Sequence, residues 1–296
     1  MDALKESRLP VFQRIAIVGV GLIGGSVGLG LKSRGGNCEV VGVGHRKETI
    51  DLALELKAID RGTLDLTVGV SGADLVILAA AVSLIPELAR RAMPHLKPSA
   101  VLTDVGSTKV YICSEISRFC RPDVTFVGGH PLAGSEKRGV RFAKADLFRG
   151  CTWFLTPAES THEGVLRKLK RFCETLGARV ATVSPPDHDR IVAATSHLPH
   201  LVAAAIVGSL EKEARAFIGP GFKDATRIAG SDSLLWRDIF MTNRAQVLKA
   251  IERFEAELAR FKQALEDEDP EVLEWMLREA ASKRSGLDSE PAVEEG

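Results

Sequence analysis

A short apolar run at residues 15–18 ends in Gly19-Val-Gly21-Leu-Ile-Gly24, and a helical pattern begins at Leu22. Strand, glycine turn and helix in that order constrain the fold more than anything else in the chain. Leu22, Val27, Leu29 and Leu31 supply the apolar positions of the helix. In such a unit Gly19 permits the tight bend, Gly21 lets the backbone approach a pyrophosphate, and Gly24 lets the helix pack on the strand. The free N–H groups around Leu22 and Ile23 at the helix start receive the anion. The pattern predicts a dinucleotide site; the plainer alternative is an ordinary strand–turn–helix of an α/β protein.

The rest of the first half repeats the alternation. Strands are predicted at 39–43, 74–79, 100–104, 124–127, 152–156 and 179–182, with helices at 47–57, 83–96, 109–119 and 163–176. Alternation of this kind requires a mainly parallel sheet with helices on both faces, a doubly wound Rossmann-type α/β domain. At Ser184-Pro185-Pro186-Asp187 the strand-like runs stop, and everything downstream reads as helical. The expected division is a dinucleotide-binding domain at 1–186, an all-α domain at 187–282 and a polar, Glu-rich disordered tail at 283–296. Within a helix predicted at 243–265, Val247, Ile251, Phe254, Leu258, Phe261 and Leu265 recur at alternating spacings of four and three. That stripe suits burial against another long helix, in the same subunit or in a partner.

Composition narrows the function classes. Lys plus Arg equals Asp plus Glu at 39 each, with no dense basic run, so no net field draws the chain to nucleic acid. The apolar stretch 191–210 comes nearest to a membrane span, but His197, Pro199 and His200 interrupt it. Residues 1–10 lack the apolar core of a signal peptide. The 5 cysteines are odd in number and show no Cys-x-x-Cys spacing, as expected of reduced thiols in a cytoplasmic protein.

The second strand ends Val43-Gly44-His45-Arg46. An acid at its end usually binds the adenosine ribose hydroxyls of NAD; here Gly44 takes that place, with His45 and Arg46 beside it. A 2′-phosphate would meet a guanidinium instead of a carboxylate, so NADP is the favoured cofactor, with NAD open.

Two further motifs follow predicted strands: Asp104-Val-Gly-Ser107-Thr-Lys109 and Gly128-Gly-His130-Pro-Leu-Ala-Gly134-Ser-Glu136. Downstream lie Thr195-Ser196-His197-Leu-Pro199-His200, Asp224-Ala-Thr-Arg227 and Trp236-Arg-Asp238. In order and wording these resemble the prephenate/arogenate dehydrogenase family of tyrosine biosynthesis, over residues 13 to 280. The resemblance implies hydride transfer to a nicotinamide from the ring carbon bearing the hydroxyl, loss of the ring carboxylate as carbon dioxide, and a homodimer formed through the helical domain. It implies that His130 accepts the hydroxyl proton and that Ser107 bonds the same hydroxyl or orients His130. Arg227 is the expected fork for a substrate carboxylate. His197, His200, Ser196 and Glu136 are expected around cofactor or substrate. Trp236 and Asp238 are expected to be structural.

The residues also admit plainer readings: a turn histidine at 130, packed imidazoles at 197 and 200, a solvated Glu136, and an Arg227–Asp224 surface pair. His197 and His200 lack an evident third partner for a metal, and none is expected. Two other functions stay open, a different two-domain NADP-dependent dehydrogenase or imine reductase, and a non-catalytic NADP sensor.

Overall fold

Leu75, Val76, Ile77 and Leu78 are consecutive and all fully buried, which requires a strand covered on both faces. They form β4 (Leu75–Leu78), paired in parallel with β1 (Arg14–Val18) on one side and β5 (Val101–Asp104) on the other. The structure, a computed structural model, describes residues 11–35, 37–135 and 137–287. Among these, β2 (Glu39–Val43), β3 (Arg61–Thr63), β6 (Thr125–Pro131), β7 (Thr152–Thr156) and β8 (Arg179–Thr182) complete one sheet. Its order is β3-β2-β1-β4-β5-β6-β7-β8. The first six strands run parallel, β7 is antiparallel to β6, and β8 is parallel to β7. This is the doubly wound Rossmann-type architecture, and the chain reverses direction across the sheet between β1 and β4.

Alternate strand residues feed two cores. Ile15, Ile17, Leu75 and Ile77 meet α1 (Leu22–Ser33), α2 (Lys47–Glu55) and α6 (Glu163–Thr175). Ala16, Val18, Val76 and Leu78 meet α3 (Leu66–Val70), α4 (Ile85–Ala92) and α5 (Val110–Ser117) on the other face.

Several expectations shift. The short β3 and α3 were not foreseen, being only 3 and 5 residues long, too short for a periodicity to show. α2 stops at Glu55 because Lys57 turns into the left-handed region (φ 57°). β6 continues past Val127 to Pro131, so His130 sits on a strand, paired opposite Phe154, rather than in a turn.

After β8 the chain is helical: α7 (Pro185–Val192), a π turn (Ala193–His197), α8 (Leu198–Gly208), α9 (Pro220–Thr226), a 3-10 turn (Arg227–Gly230) and α10 (Ser233–Thr242). The wide π turn gives the ring of Pro199 room one turn below it, so helix continues through the proline. The resulting helix, Pro185–Gly208, has 24 residues and a mean hydropathy of 1.6 over its most apolar window. By length and composition it is long and apolar enough to cross a membrane, which corrects the expectation that its histidines and proline disqualify it. Those imidazoles are buried in the protein instead: His188, His197 and His200 are at most 5% exposed.

In compactness the chain divides after Asn243. The unit from Arg244 on is a hairpin of α11 (Arg244–Glu266) and α12 (Pro270–Leu287). Glu268 turns the chain (φ 49°), and Asp269 Oδ1 caps α12 by accepting from the Glu271 and Val272 amides at 3.1 and 3.0 Å. α12 extends through Leu287, so residues 283–287 are helical where a disordered tail was expected; the rest of that tail lies outside the described residues.

Leu78 is fully buried where β4 meets the second core, so Leu78→Ala is expected to cost about 2–5 kcal/mol. The denaturant midpoint should fall with little change in the slope of the transition.

Candidate active site

The cavity lies at the carboxyl ends of the parallel strands, beside the β1/β4 reversal, where open α/β sheets bind ligands. It has a volume of about 820 Å³, and the glycine turn, the ends of β4, β5 and β6, the π turn with α8, and α10 all contribute walls.

At the floor is the turn after β1. Gly19 has φ +101°, and a Cβ there would lie 2.1 Å from the Ala79 carbonyl oxygen at the end of β4. Only glycine lets the two strand ends approach so closely. A Cβ on Gly21 would instead meet open space, and α1 begins there with no side chain capping its first amides. Gly21, Leu22 and Ile23 line the cavity. A helix start with no side-chain cap, beside open space at Gly21, fits a dinucleotide's pyrophosphate.

Opposite this turn sits His130. Asp189 Oδ1 accepts the Lys109 amide at 2.7 Å, and Oδ2 accepts the Val110 amide at 3.0 Å, so this buried carboxylate is oriented by the start of α5. His188 Nδ1 lies 2.7 Å from Asp189 Oδ1 and donates to it. Neutral His188 then has a bare Nε2, which accepts from His130 Nδ1 at 2.9 Å. His130 is left with its Nε2 lone pair, and the residue lines the cavity. Two side chains, Asp189 and His188, thus select the tautomer of His130 that accepts a proton. Burial is the main force holding His130 well below the usual imidazole range, reinforced by His188, Lys109 and His197, so the ring is neutral near pH 7.

The helical wall carries more imidazoles. Asn243 Nδ2 donates to the Asp189 carbonyl at 2.8 Å and to His197 Nδ1 at 3.2 Å, leaving N–H on the other His197 nitrogen. Burial lowers the pKa of His197 to about 4. His200 stacks on Trp236 with centroids 3.6 Å apart and planes 14° from parallel. Arg138, on the segment after β6, pairs with Asp232 at the start of α10 at 2.5 Å, and both line the cavity.

Among the residues expected at a site, Gly21, Leu22, Ile23, Ser107, His130, Ser196, His197, His200 and Arg227 all line this one cavity. Gly24 sits behind the turn: a Cβ there would lie 2.2 Å from the Gly19 carbonyl oxygen. His45 and Arg46 are exposed just beyond β2. Glu136 lies outside the described residues. Trp236, expected to be structural, is also a cavity wall. Asp238 accepts from Ser83 Oγ at 2.5 Å. The relay residues His188 and Asp189 were not foreseen; the only sequence signal was a histidine between two aspartates in the first helical turn after Pro185-Pro186.

A nucleotide cradle at the strand reversal and a neutral imidazole on the wall of the same cavity define a dinucleotide-dependent oxidoreductase. Two family models match the chain: "Prephenate dehydrogenase, nucleotide-binding domain" over residues 27–182, and "Prephenate dehydrogenase, dimerization domain" over 184–279. The prephenate dehydrogenase of Bacillus subtilis is 34% identical over 283 residues, 92% of this chain and 76% of that protein. The cyclohexadienyl dehydrogenase of Zymomonas mobilis is 32% identical, covering 94% of this chain and 97% of that one. Among solved structures, Aquifex aeolicus prephenate dehydrogenase in complex with hydroxyphenyl propionate and NAD+ superposes with a TM-score of 0.86. It is 37% identical, over 93% of this chain and 98% of its own. Synechocystis arogenate dehydrogenase superposes at 0.81 with 30% identity, over 93% and 100%. The chain belongs to the prephenate dehydrogenase family of oxidoreductases.

Because the proton-accepting form of His130 persists below the normal imidazole pKa, the acid limb of kcat/KM is expected below pH 6.5. The groups facing His130 are His188, Lys109 and His197. His188→Asn removes the acceptor that fixes the His130 tautomer, so kcat should fall roughly 100-fold while the acid limb, set mainly by burial, stays below pH 6.5. A pH–rate profile of both proteins checks this.

Proposed function

We propose that the protein oxidatively decarboxylates prephenate to 4-hydroxyphenylpyruvate, arogenate to tyrosine, or both, with hydride passing to NADP in preference to NAD. The observation that carries this reading is the His130 tautomer: a buried, neutral imidazole whose free Nε2 belongs to a residue of the cavity that Ser107 and Arg227 also line. The names of the relatives point to the same substrates. When bound, the nicotinamide supplies the hydride acceptor.

The chain's own residues supply the rest. His130 Nε2 takes the proton of the ring hydroxyl as hydride leaves the same carbon, and Ser107 hydrogen-bonds that oxygen. Loss of the ring carboxylate as carbon dioxide then aromatises the ring, and His130 returns the proton to the phenolic oxygen, so none is released. Arg227 holds the side-chain carboxylate, which persists in the product. Pairing the departing carboxylate would stabilise it against leaving, so the fork belongs on the other one. His197, His200 and Ser196 contact cofactor or substrate from the helical wall, and Glu136 is assigned to substrate binding. In this assignment residues 1–186 hold the nucleotide and 187–282 complete the substrate site.

NADP preference rests on Gly44, His45 and Arg46. Residues 44–47 after β2 carry no carboxylate, and Arg46 is exposed there to meet a 2′-phosphate. The decisive assay crosses prephenate and arogenate with NAD and NADP, with His130→Asn as control. NADP should exceed NAD in kcat/KM by about 10-fold or more, and Arg46→Glu should reverse the order. A parent that favours NAD overturns the cofactor assignment; undiminished turnover by His130→Asn overturns the mechanism.

The homodimer is proposed from α11 and α12. Phe254, Leu258 and Leu265 of the stripe are 37%, 56% and 63% exposed, and Trp275 and Leu277 of α12 are exposed as well. A row of large apolar side chains left in solvent marks an association surface. The family model over this region is described as a dimerization domain. Solution mass at micromolar concentration should be about twice that of one chain, and Leu258→Glu should shift it toward one. A parent that runs as a monomer counts against the dimer.

A further inference from the structure

The β5–β6 ladder stops before the catalytic residues begin. Its last registered pair is Thr103 opposite Val127; beyond it β6 turns to pair with β7. Ser107 lies past the end of β5, and His130 lies on the part of β6 that has left its neighbour. No β5–β6 ladder therefore sets the distance between them.

Asp104 spans this gap. Its Oδ2 accepts the Gly106 amide at 2.8 Å, and its Oδ1 accepts the Gly129 amide at 3.1 Å. Gly106 and Gly129 are the residues directly before Ser107 and His130. One carboxylate thus holds the two backbones that present the hydroxyl and the imidazole. Asp104 is fully buried, and its counter-charge is Lys109, also fully buried, whose Nζ donates to Asp104 Oδ2.

The surroundings are shaped for the pair. A Cβ on Gly106 would lie 2.9 Å from Asp104 Oδ2, and one on Gly128 would lie 3.1 Å from Lys109 Cδ. The Lys109 amide meanwhile donates to Asp189, which orients His188. Stability alone is a poor account of such a pair, because desolvating two charges costs about as much as their attraction returns.

We propose that Asp104 is the positioning residue that sets the separation of Ser107 and His130, with Lys109 the counter-charge that lets a carboxylate do so in a dry interior. Its catalytic consequence rests on the reading of Ser107 and His130 as the pair that meets the substrate hydroxyl. A carboxylate is required because it offers an acceptor to each amide. Asparagine of the same size offers one oxygen and turns an N–H₂ group toward the other.

The test compares the parent with Asp104→Asn and with the double variant Asp104→Asn/Lys109→Met, which buries no charge at this place. Crystal structures of parent and Asp104→Asn should show the Ser107–His130 separation changed by about 1 Å, and kcat should fall roughly 100-fold. Thermal stability of the double variant should return close to the parent's and its cofactor Kd should stay within about threefold, while kcat stays low. Ser107→Ala should slow the parent but add little to Asp104→Asn, since a misplaced hydroxyl has nothing left to lose.

An unchanged separation in Asp104→Asn overturns the proposal, whatever the substrate. So does a double variant with parental kcat, or full additivity of Ser107→Ala with Asp104→Asn. If the parent turns over neither substrate, the proposed function fails and the measured separation still decides the role of Asp104.

Discussion

Much of this site hangs on a single buried carboxylate, Asp189. It accepts two amides at the start of α5, orients His188, and through its own carbonyl engages Asn243, which in turn holds His197. A carboxylate with almost no solvent access is tolerable only when hydrogen-bond donors surround it, and once surrounded it cannot move without orphaning them. Asp189 thereby ties α7 to the sheet's α5 and transmits that rigidity to His130 through His188. The imidazole needs no charge of its own to be held.

Burial does a second job there. His130, His188, His197 and His200 all lie in or behind one cavity wall, and desolvation is the leading cause of the lowered pKa at each. Four imidazoles in proximity would repel one another if charged; in a dry wall they remain neutral and serve as directional donors and acceptors. Stability follows the same logic. A histidine whose pKa is lowered on folding stabilises fully above the unfolded value near 6.5, and that contribution is lost as pH falls through the folded value.

The repeating units of the sheet were readable because each is long enough to show its own period. β2, β7 and β8 occupy the expected residues, β1 begins one residue earlier, at Arg14, and α1 begins at Leu22 as expected. The short β3 and α3 carry no period, and β6 outran its expected end because glycine, histidine and proline at 128–131 look like a turn until β7 is there to pair with them. The glycine turn, His130, Ser107 and Arg227 could be named from motif wording. His188, Asp189, Asp104 and Lys109 could not be given roles: a buried acid and a surface acid look alike in sequence until packing decides which loses its water.

By itself, the sequence determined the α/β alternation, the glycine turn and the change to helix near Pro185, because local periodicity and glycine sterics are written in neighbouring residues. Tertiary structure alone decided the tautomer of His130, the division of the chain after Asn243 and the bridge from Asp104 to the amides of Gly106 and Gly129. Each of these depends on groups far apart in the chain meeting in a space without water, where a hydrogen bond has no competitor and an unpaired one has no refuge.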